Sequence, residues 1–513
     1  MNNDLKNQFS EPGILHQIID DLNTKLRILT EENQSLKDQL ALLKAKRFGK
    51  SSEKLDRQIE ELELRIESNE LDSLNNEKNQ ELDQDITKAK SPNCSKRLKI
   101  PDHLPRIDII LNPDPECPDC GGQEFRKIAD DISETLEYIP ASFQVIRHIR
   151  PRCACIKCEK IVQAFAPSKA IDKGKAGSGL LAHILVQKYC NHLPMYRQSQ
   201  IYEREGVEIS RNTMTGWARQ CSDLLNPLIL ELKKSIFASK FLHGDDTPVK
   251  VLSPGLGKTK TGRIWAYVRD GRPCADVTPP AVFYVYSPDR KGIRPKEHLK
   301  DFSGVLHADA YAGYSNLYIS DKNPDASIEE AACWAHTRRK FYEVTITNPN
   351  ANIAISVLEQ ISEIYNIEAD IRGLEPDKRL RHRQEHSKKL VEQLFINLKK
   401  HRDKLPPKSS TVKAINYAMN NQIALMRFLE NGRIEIDNNA AERAMRSIAL
   451  GRKNWMFAGS DQGGCSAANI YSLIETAKLN NINPWAYLEK VLRTIQDHNS
   501  NKLYELLPWN ITL

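Results

Sequence analysis

No apolar run in the chain approaches the roughly 18 residues needed to cross a bilayer. The opening stretch MNNDLKNQFSEP also lacks the charged-then-apolar order of a secretory signal. Both absences point to the cytosol. A disulfide framework is equally unsupported, because eleven cysteines are an odd number in a long chain without an export signal. Metal binding is the better use for any cluster among them. Strong charge is missing too: a net charge of +7 over 513 residues is compatible with a nucleic-acid partner but is only a mild bias. No internal repeat is visible beyond heptads, and composition by itself names no function.

What the chain does have is length, far too much for one core, so it reads as multidomain α+β with three or four domains. Leu15, Ile19, Leu22, Leu26, Leu29, Leu36, Leu40 and Leu43 recur at alternating four- and three-residue steps, with Asn33 at the one polar seam position. A lone Asn in a heptad seam fixes register and favours a parallel two-stranded coiled coil. A second seam, Leu55, Ile59, Leu62 and Ile66, extends the segment. A coiled coil is therefore expected over residues 1–67, making the protein a homodimer or higher oligomer. A polar linker follows at 68–104, too weakly apolar to offset the entropy of ordering.

Five of the eleven cysteines crowd between Cys117 and Cys158. Cys117-Pro-Asp-Cys120 and Cys155-Ile-Lys-Cys158 are two Cys-x-x-Cys knuckles whose thiolates can close a tetrahedral site for one structural Zn2+. The gap between knuckles is long for a zinc ribbon, but SETLEYIPASFQVIRHIRPR within it has the texture of a hairpin that brings them together. Cys153 is the spare thiol. A zinc-ribbon-like module is expected over 105–168, its metal a folding element with no position left open for water.

Residues 169–235 read as a helix, a second helix ending near Glu205-Gly206, a short turn, and a third helix entered at Ser210. That order resembles a helix-turn-helix, with Arg211, Thr213 and Arg219 placed to meet DNA at the polar start of the last helix. The same pattern also serves as a plain packing unit.

From about Phe241 the texture becomes strands: HGDDTPVKVL, GRIWAYVRDG, AVFYVYS and GVLHADA are β-branched or aromatic runs bounded by Gly, Pro and charge. Asp245 lies in the first and Asp309 closes the fourth. Residues of about 350–430 read as helices, and beyond them Glu442 falls on a helix entered at Asp437 or Asn438, near the end of its second turn. Two strand-borne aspartates and a helical acid, in this order, fit a ribonuclease-H-like layout. Such a set can hold the two divalent ions of phosphodiester chemistry, Mg2+ with Mn2+ able to substitute. Asp246 competes with Asp245, since neighbouring strand residues face opposite ways, and any single acid is more often a solvated charge. Basic residues gather nearby: Arg338 and Arg339 in CWAHTRRKFYE, then Arg443, Arg446, Arg452 and Lys453. They can hold phosphates without reading bases, or simply form a solvated face beside a core Trp334.

These pieces resemble the transposases of the insertion-sequence-66 family across nearly the whole chain: RFGKSSEKL, CPDCGG with CIKC, HLPMYRQ, REGVEISRNTM, DDTPVKVLSPGLGKTKTGRIWAYVRDG, HADAYAGY, CWAHTRRKF, DNNAAERAMR, GRKNWMFAGS and INPWAYLEKVL, in family order. The resemblance implies a DDE catalytic domain (236–475, with a helical insertion at about 350–430) and a C-terminal helical tail (476–513). It selects Asp245 over Asp246, with Asp309 and Glu442 as the other two acids. It also implies inverted-repeat element ends and target DNA as partners, accessory proteins of the same element, and a bacterial cytoplasm. Asp246 stands where the family usually has Glu. Two rival readings share parts of the pattern: another ribonuclease-H-like nuclease of the junction-resolvase type, and a non-catalytic zinc-containing DNA-binding regulator.

Overall fold

The computed structural model describes residues 142–513, apart from positions 155, 157–160, 173, 254–256, 320–322, 325 and 513. The coiled coil, the linker and the zinc ligands Cys117, Cys120, Cys155 and Cys158 lie outside the described residues. A short antiparallel pair, β1 (Arg152–Ala154) with β2 (Ile161–Gln163), opens the described part. Three helices follow: α1 (Ser178–Tyr189), α2 (Met195–Arg204) and α3 (Arg211–Phe237). Gly206, at φ +83°, takes the left-handed conformation that ends α2. The Ser210 hydroxyl accepts the Thr213 amide at 3.2 Å and so caps α3.

The centre is one mixed sheet of order β5-β4-β3-β6-β7, formed by β3 (Phe241–Ser253), β4 (Lys258–Arg269), β5 (Ala281–Ser287), β6 (Gly304–Ala308) and β7 (Ile328–Ala332). The first three pair antiparallel, and β6 and β7 join parallel. This is a ribonuclease-H-like α/β sheet. The fifth strand, IEEAA, was not among the four expected from sequence; it is short and carries two acids, so it lacks the apolar run that marked the others. Pro248 sits inside β3 without breaking the sheet, because β6 pairs only with the first part of β3 and no partner on that side needs the missing N–H.

Helices α4 (Ile293–His298), α5 (Trp334–Thr347), α6 (Asn352–Asp370), α7 (Pro376–His382), α8 (Lys388–Arg402), α9 (Ser410–Asn420) and α10 (Gln422–Met426) come next. All but α4 follow β7; α6–α10 fall in the stretch of about 350–430 that reads as helical, and α5 lies before it. The chain ends in α11 (Asn439–Asn454), α12 (Asp461–Leu479) and α13 (Pro484–Thr494). Two cores result. One joins the sheet to α1–α3 and α11–α13 around Trp265, Tyr267, Tyr284 and Tyr471; the other lies inside the helical insertion around Trp334, Phe341, Phe395 and Phe428. Among the described residues no helix is long and apolar enough to cross a membrane.

Candidate active site

The parallel pairing of β3 with β6 sets Phe241 against Val305, Leu242 against Leu306 and His243 against His307. Asp245 lies two residues further along β3 and Asp309 two residues further along the other chain segment, just past the end of β6 at Ala308, near enough for its charge to raise the Asp245 carboxyl. The His243 and His307 rings, on the paired parts of β3 and β6, lie 5.3 Å apart.

Asn438 ties to β3 the helix that carries Glu442. Only 1% exposed, it donates its side-chain amide to the Gly244 carbonyl at 2.9 Å and holds His243 Nδ1 at 3.1 Å through its Oδ1. Its backbone N–H donates to Cys333 Sγ at 3.2 Å. The start of α11 is thereby fastened both to β3, next to Asp245, and to the start of α5. Glu442 follows in the first turn of α11. Asn438, one of the two cap positions expected, is the N-cap, although its side chain goes to the sheet and makes no capping bond; the helix runs from Asn439, so Glu442 falls in the first turn and not near the end of the second. Asp437 Oδ1 accepts the Asn439 amide at 3.2 Å. Ala441 and Met445 are buried beside Glu442, as the helix phase requires.

Asp245 and Asp246 have separate jobs. The Asp246 carboxylate, 1% exposed, pairs with Arg263 at 3.0 Å and Arg290 at 2.8 Å, so its charge is met. Among the described residues no basic side chain lies within ion-pairing distance of Asp245, whose Oδ1 accepts the Asp246 amide at 2.7 Å. Burial, then repulsion from Asp309, raises the Asp245 carboxyl to about 8; Asp246 and Glu442 add to the rise and the amide bond opposes it. Burial also raises Asp309, against the pull of Arg290 and His336.

Two residues at the site were not singled out in the sequence. Arg290, in the turn after β5, reaches both Asp246 and Asp309 (3.6 Å) and stacks on the Tyr311 ring at 3.9 Å. His336, inside CWAHTRRKF, has Nδ1 3.8 Å from Glu442 Oε1. No periodicity marks either one; only the folded chain brings them in.

A hard divalent cation fits this set. Asp309 Oδ1 is buried with no hydrogen-bond donor, and the clustered carboxyls repel each other in a site that burial makes costly for bare charge. Asp245, Asp309 and Glu442 are the residues that would hold it. A pH test follows from linkage. A carboxyl whose pKa rises on folding contributes stability at low pH that is lost as pH climbs from its unfolded value near 4 through about 8. The metal-free chain is therefore expected to melt lower at about pH 8.5 than at about pH 5, and Mg2+ to restore more at the higher pH. Melting scans with and without Mg2+ check this; an equal or larger gain at the lower pH would contradict it.

The expected DNA contacts are distributed differently. Arg211, Thr213 and Arg219 are exposed on the first turns of α3, and Arg219 makes a 3.8 Å pair with Asp223. No hydrogen bond or ion pair joins these three to the acids. Arg338 and Arg339 are exposed on α5, while Trp334 beside them is core, 1% exposed. On α11, Arg443, Arg446 and Lys453 are exposed, with Arg443 3.8 Å from Asp270. Arg452 is half-buried and donates to the Pro248 carbonyl, which ties α11 to β3 and takes that guanidinium away from the surface.

Comparison with known proteins bears on this arrangement. Residues 173–466 match the model described as transposase IS66 family, and 472–509 match the IS66 C-terminal element. Residues 114–159 match the zinc-finger binding domain of transposase IS66, and 35–109 a leucine-zipper model described as transposase C of IS166 homeodomain. Three similar chains come from Sinorhizobium fredii (strain NBRC 101917 / NGR234), each printed as an uncharacterized protein. One, y4hP, is 37% identical over 90% of this chain and 86% of its own. The other two, y4qI and y4jD, are each 38% identical over 80% of this chain, covering 76% and 81% of their own.

Proposed function

The chain belongs to the IS66 family of transposases, and on that premise we propose that it binds the inverted-repeat ends of its element as a dimer, cleaves their 3′ ends, and joins the freed 3′ hydroxyls to target DNA. The observation that carries this reading is the buried Asp245 carboxyl, raised by burial and by the nearby charges of Asp309 and Glu442, a repulsion that a divalent cation bound by these three acids relieves. The zinc-finger match implies zinc and the DDE domain implies a divalent metal. In the proposal, Cys117, Cys120, Cys155 and Cys158 hold the zinc.

A divalent cation bound by the three acids supplies charge that activates the attacking oxygen and stabilises the leaving one. The protein's own share is alignment. Asn438 fixes how far α11 stands from β3, Asp246 and Arg290 brace the turn beside Asp309, and the rigid sheet holds Asp245 near Asp309. The exposed basic residues of α5 and α11 hold the scissile strand by its phosphates, and the start of α3 meets element-end DNA.

Purified protein incubated with Mg2+, element-end DNA and a plasmid target tests the reading. Joined molecules are expected; cuts without joining would point to a nuclease, and neither product to a DNA-binding regulator. Replacing Arg211 with Ala is expected to weaken end binding and to reduce the salt slope of the binding constant by about one unit, as loss of one phosphate contact does. Gel-shift titrations over a range of salt measure it. An unchanged slope would remove Arg211 from the interface.

A further inference from the structure

Cys333 precedes α5 as its N-cap and His336 is the third residue of the helix. A Cys-x-x-His spacing at a helix start puts both side chains on one face. Opposite them stands Glu442, in the first turn of α11. The thiol, an imidazole nitrogen and a carboxylate oxygen all lie within 4.8 Å of one another, and the imidazole-to-carboxylate pair is at 3.8 Å. Donors around a tetrahedral zinc ion, at bonds of about 2.0–2.3 Å, sit roughly 3.3–3.8 Å apart. The three donors are thus within small rotamer adjustments of closing on an ion.

The framework behind them is fixed. Asn438 N–H donates to Cys333 Sγ, and Trp334 N–H donates to the Ile436 carbonyl at 3.1 Å, so the starts of α5 and α11 are stitched together. Cys333 is buried, while the His336 and Glu442 side chains keep 29% and 27% exposure. That partial exposure gives an ion a solvent side by which to enter. The donor chemistry differs from that of the neighbouring set: Asp245 and Asp309 offer only hard oxygens, whereas sulfur, nitrogen and one oxygen suit zinc and disfavour magnesium. Glu442 belongs to this cluster and its charge also reaches Asp245.

We propose that Cys333, His336 and Glu442 form a second metal site, selective for a borderline ion such as Zn2+, and that filling it withdraws Glu442 from Asp245 and Asp309 and so inhibits the enzyme. The inhibitory half rests on the catalytic role proposed for Glu442; the binding half does not.

The test uses full-length wild type, C333S and H336A, each dialysed against the same buffered micromolar free zinc and assayed for zinc per protomer. Wild type is expected to hold one more zinc than either variant; equal content in all three overturns the site. Serine keeps an acceptor for the Asn438 amide, and His336 is partly exposed, so the two variants perturb folding in different ways and one can stand in for the other. In a cleavage assay with excess Mg2+, zinc at ten times its dissociation constant is expected to leave wild type roughly a tenth of its activity by mass action, and C333S much more of its own. Equal inhibition of C333S overturns the regulatory role. An E442Q chain that cleaves normally would overturn the catalytic reading and the inhibition with it, yet leave the difference in zinc content standing.

Discussion

Glu442→Gln is expected to lower strand cleavage by about 10²–10³-fold or more, the scale of losing one group that meets charge in the transition state. Binding of element-end DNA should change little. The substitution keeps the shape of the side chain and the helix phase that buries Ala441 and Met445, but it removes the anionic oxygen that would face Asp245 and Asp309. Glutamine cannot supply that charge at any pH. Cleavage of labelled end DNA, read beside gel-shift binding, separates the two effects. Cleavage within a few-fold of wild type would sink the assignment. Parallel loss of binding would shift Glu442 from chemistry to DNA contact.

The second large effect lies in the helical insertion and is one of stability. Glu368 takes two hydrogen bonds from Arg383, at 2.7 and 2.6 Å, and one from Arg379 at 3.3 Å. Arg379 also pairs with Glu435 at 2.7 Å and donates to the Gly432 carbonyl, while Arg383 donates to the carbonyls of Phe428 and Asn431. The two guanidinium groups are 1% and 0% exposed. Replacing Glu368 with Ala strands two buried cations with one carboxylate between them, a loss of about 3–5 kcal/mol for a broken buried pair. Melting is expected to fall by on the order of 10 °C, at roughly 2–4 °C per kcal/mol for a body of this size. Calorimetry reads it; a fall of only a degree or so would mean that water or rearrangement satisfies the arginines. Because this network grips the segment 428–435, which leads into Asn438 and α11, cleavage should also become more heat-sensitive than in wild type.

The two effects have different origins. Glu442 acts through charge offered to a ligand and Glu368 through charge that must be cancelled inside the protein. The sequence distinguishes them poorly, since each is a single acid on a helix. Burial decides: Glu368 is 7% exposed and locked by two arginines, whereas the Glu442 side chain keeps 27% exposure and lies 3.8 Å from His336.

Much was readable from the chain alone, because its signals are local. Strand alternation and bounding glycines marked four of the five strands of the central sheet. Gly206 and Ser210 marked the turn and cap between α2 and α3, since a left-handed residue and a hydroxyl acceptor are requirements of backbone geometry that any fold must meet. The family was legible too, from motifs spread along the whole chain. Tertiary structure decided what depends on residues far apart in the chain. The β3–β6 pairing brings Asp309 near enough for its charge to raise the Asp245 carboxyl, and the arginines on Asp246 explain why two adjacent acids differ. Asn438, the N-cap of α11, is bonded to Gly244 and His243, which ties the helix that carries Glu442 to β3. Arg290 and His336 enter the site from elements whose local sequence carries no mark of it, because a pairwise charge interaction has no period along the chain and exists only once the backbone has brought both partners together.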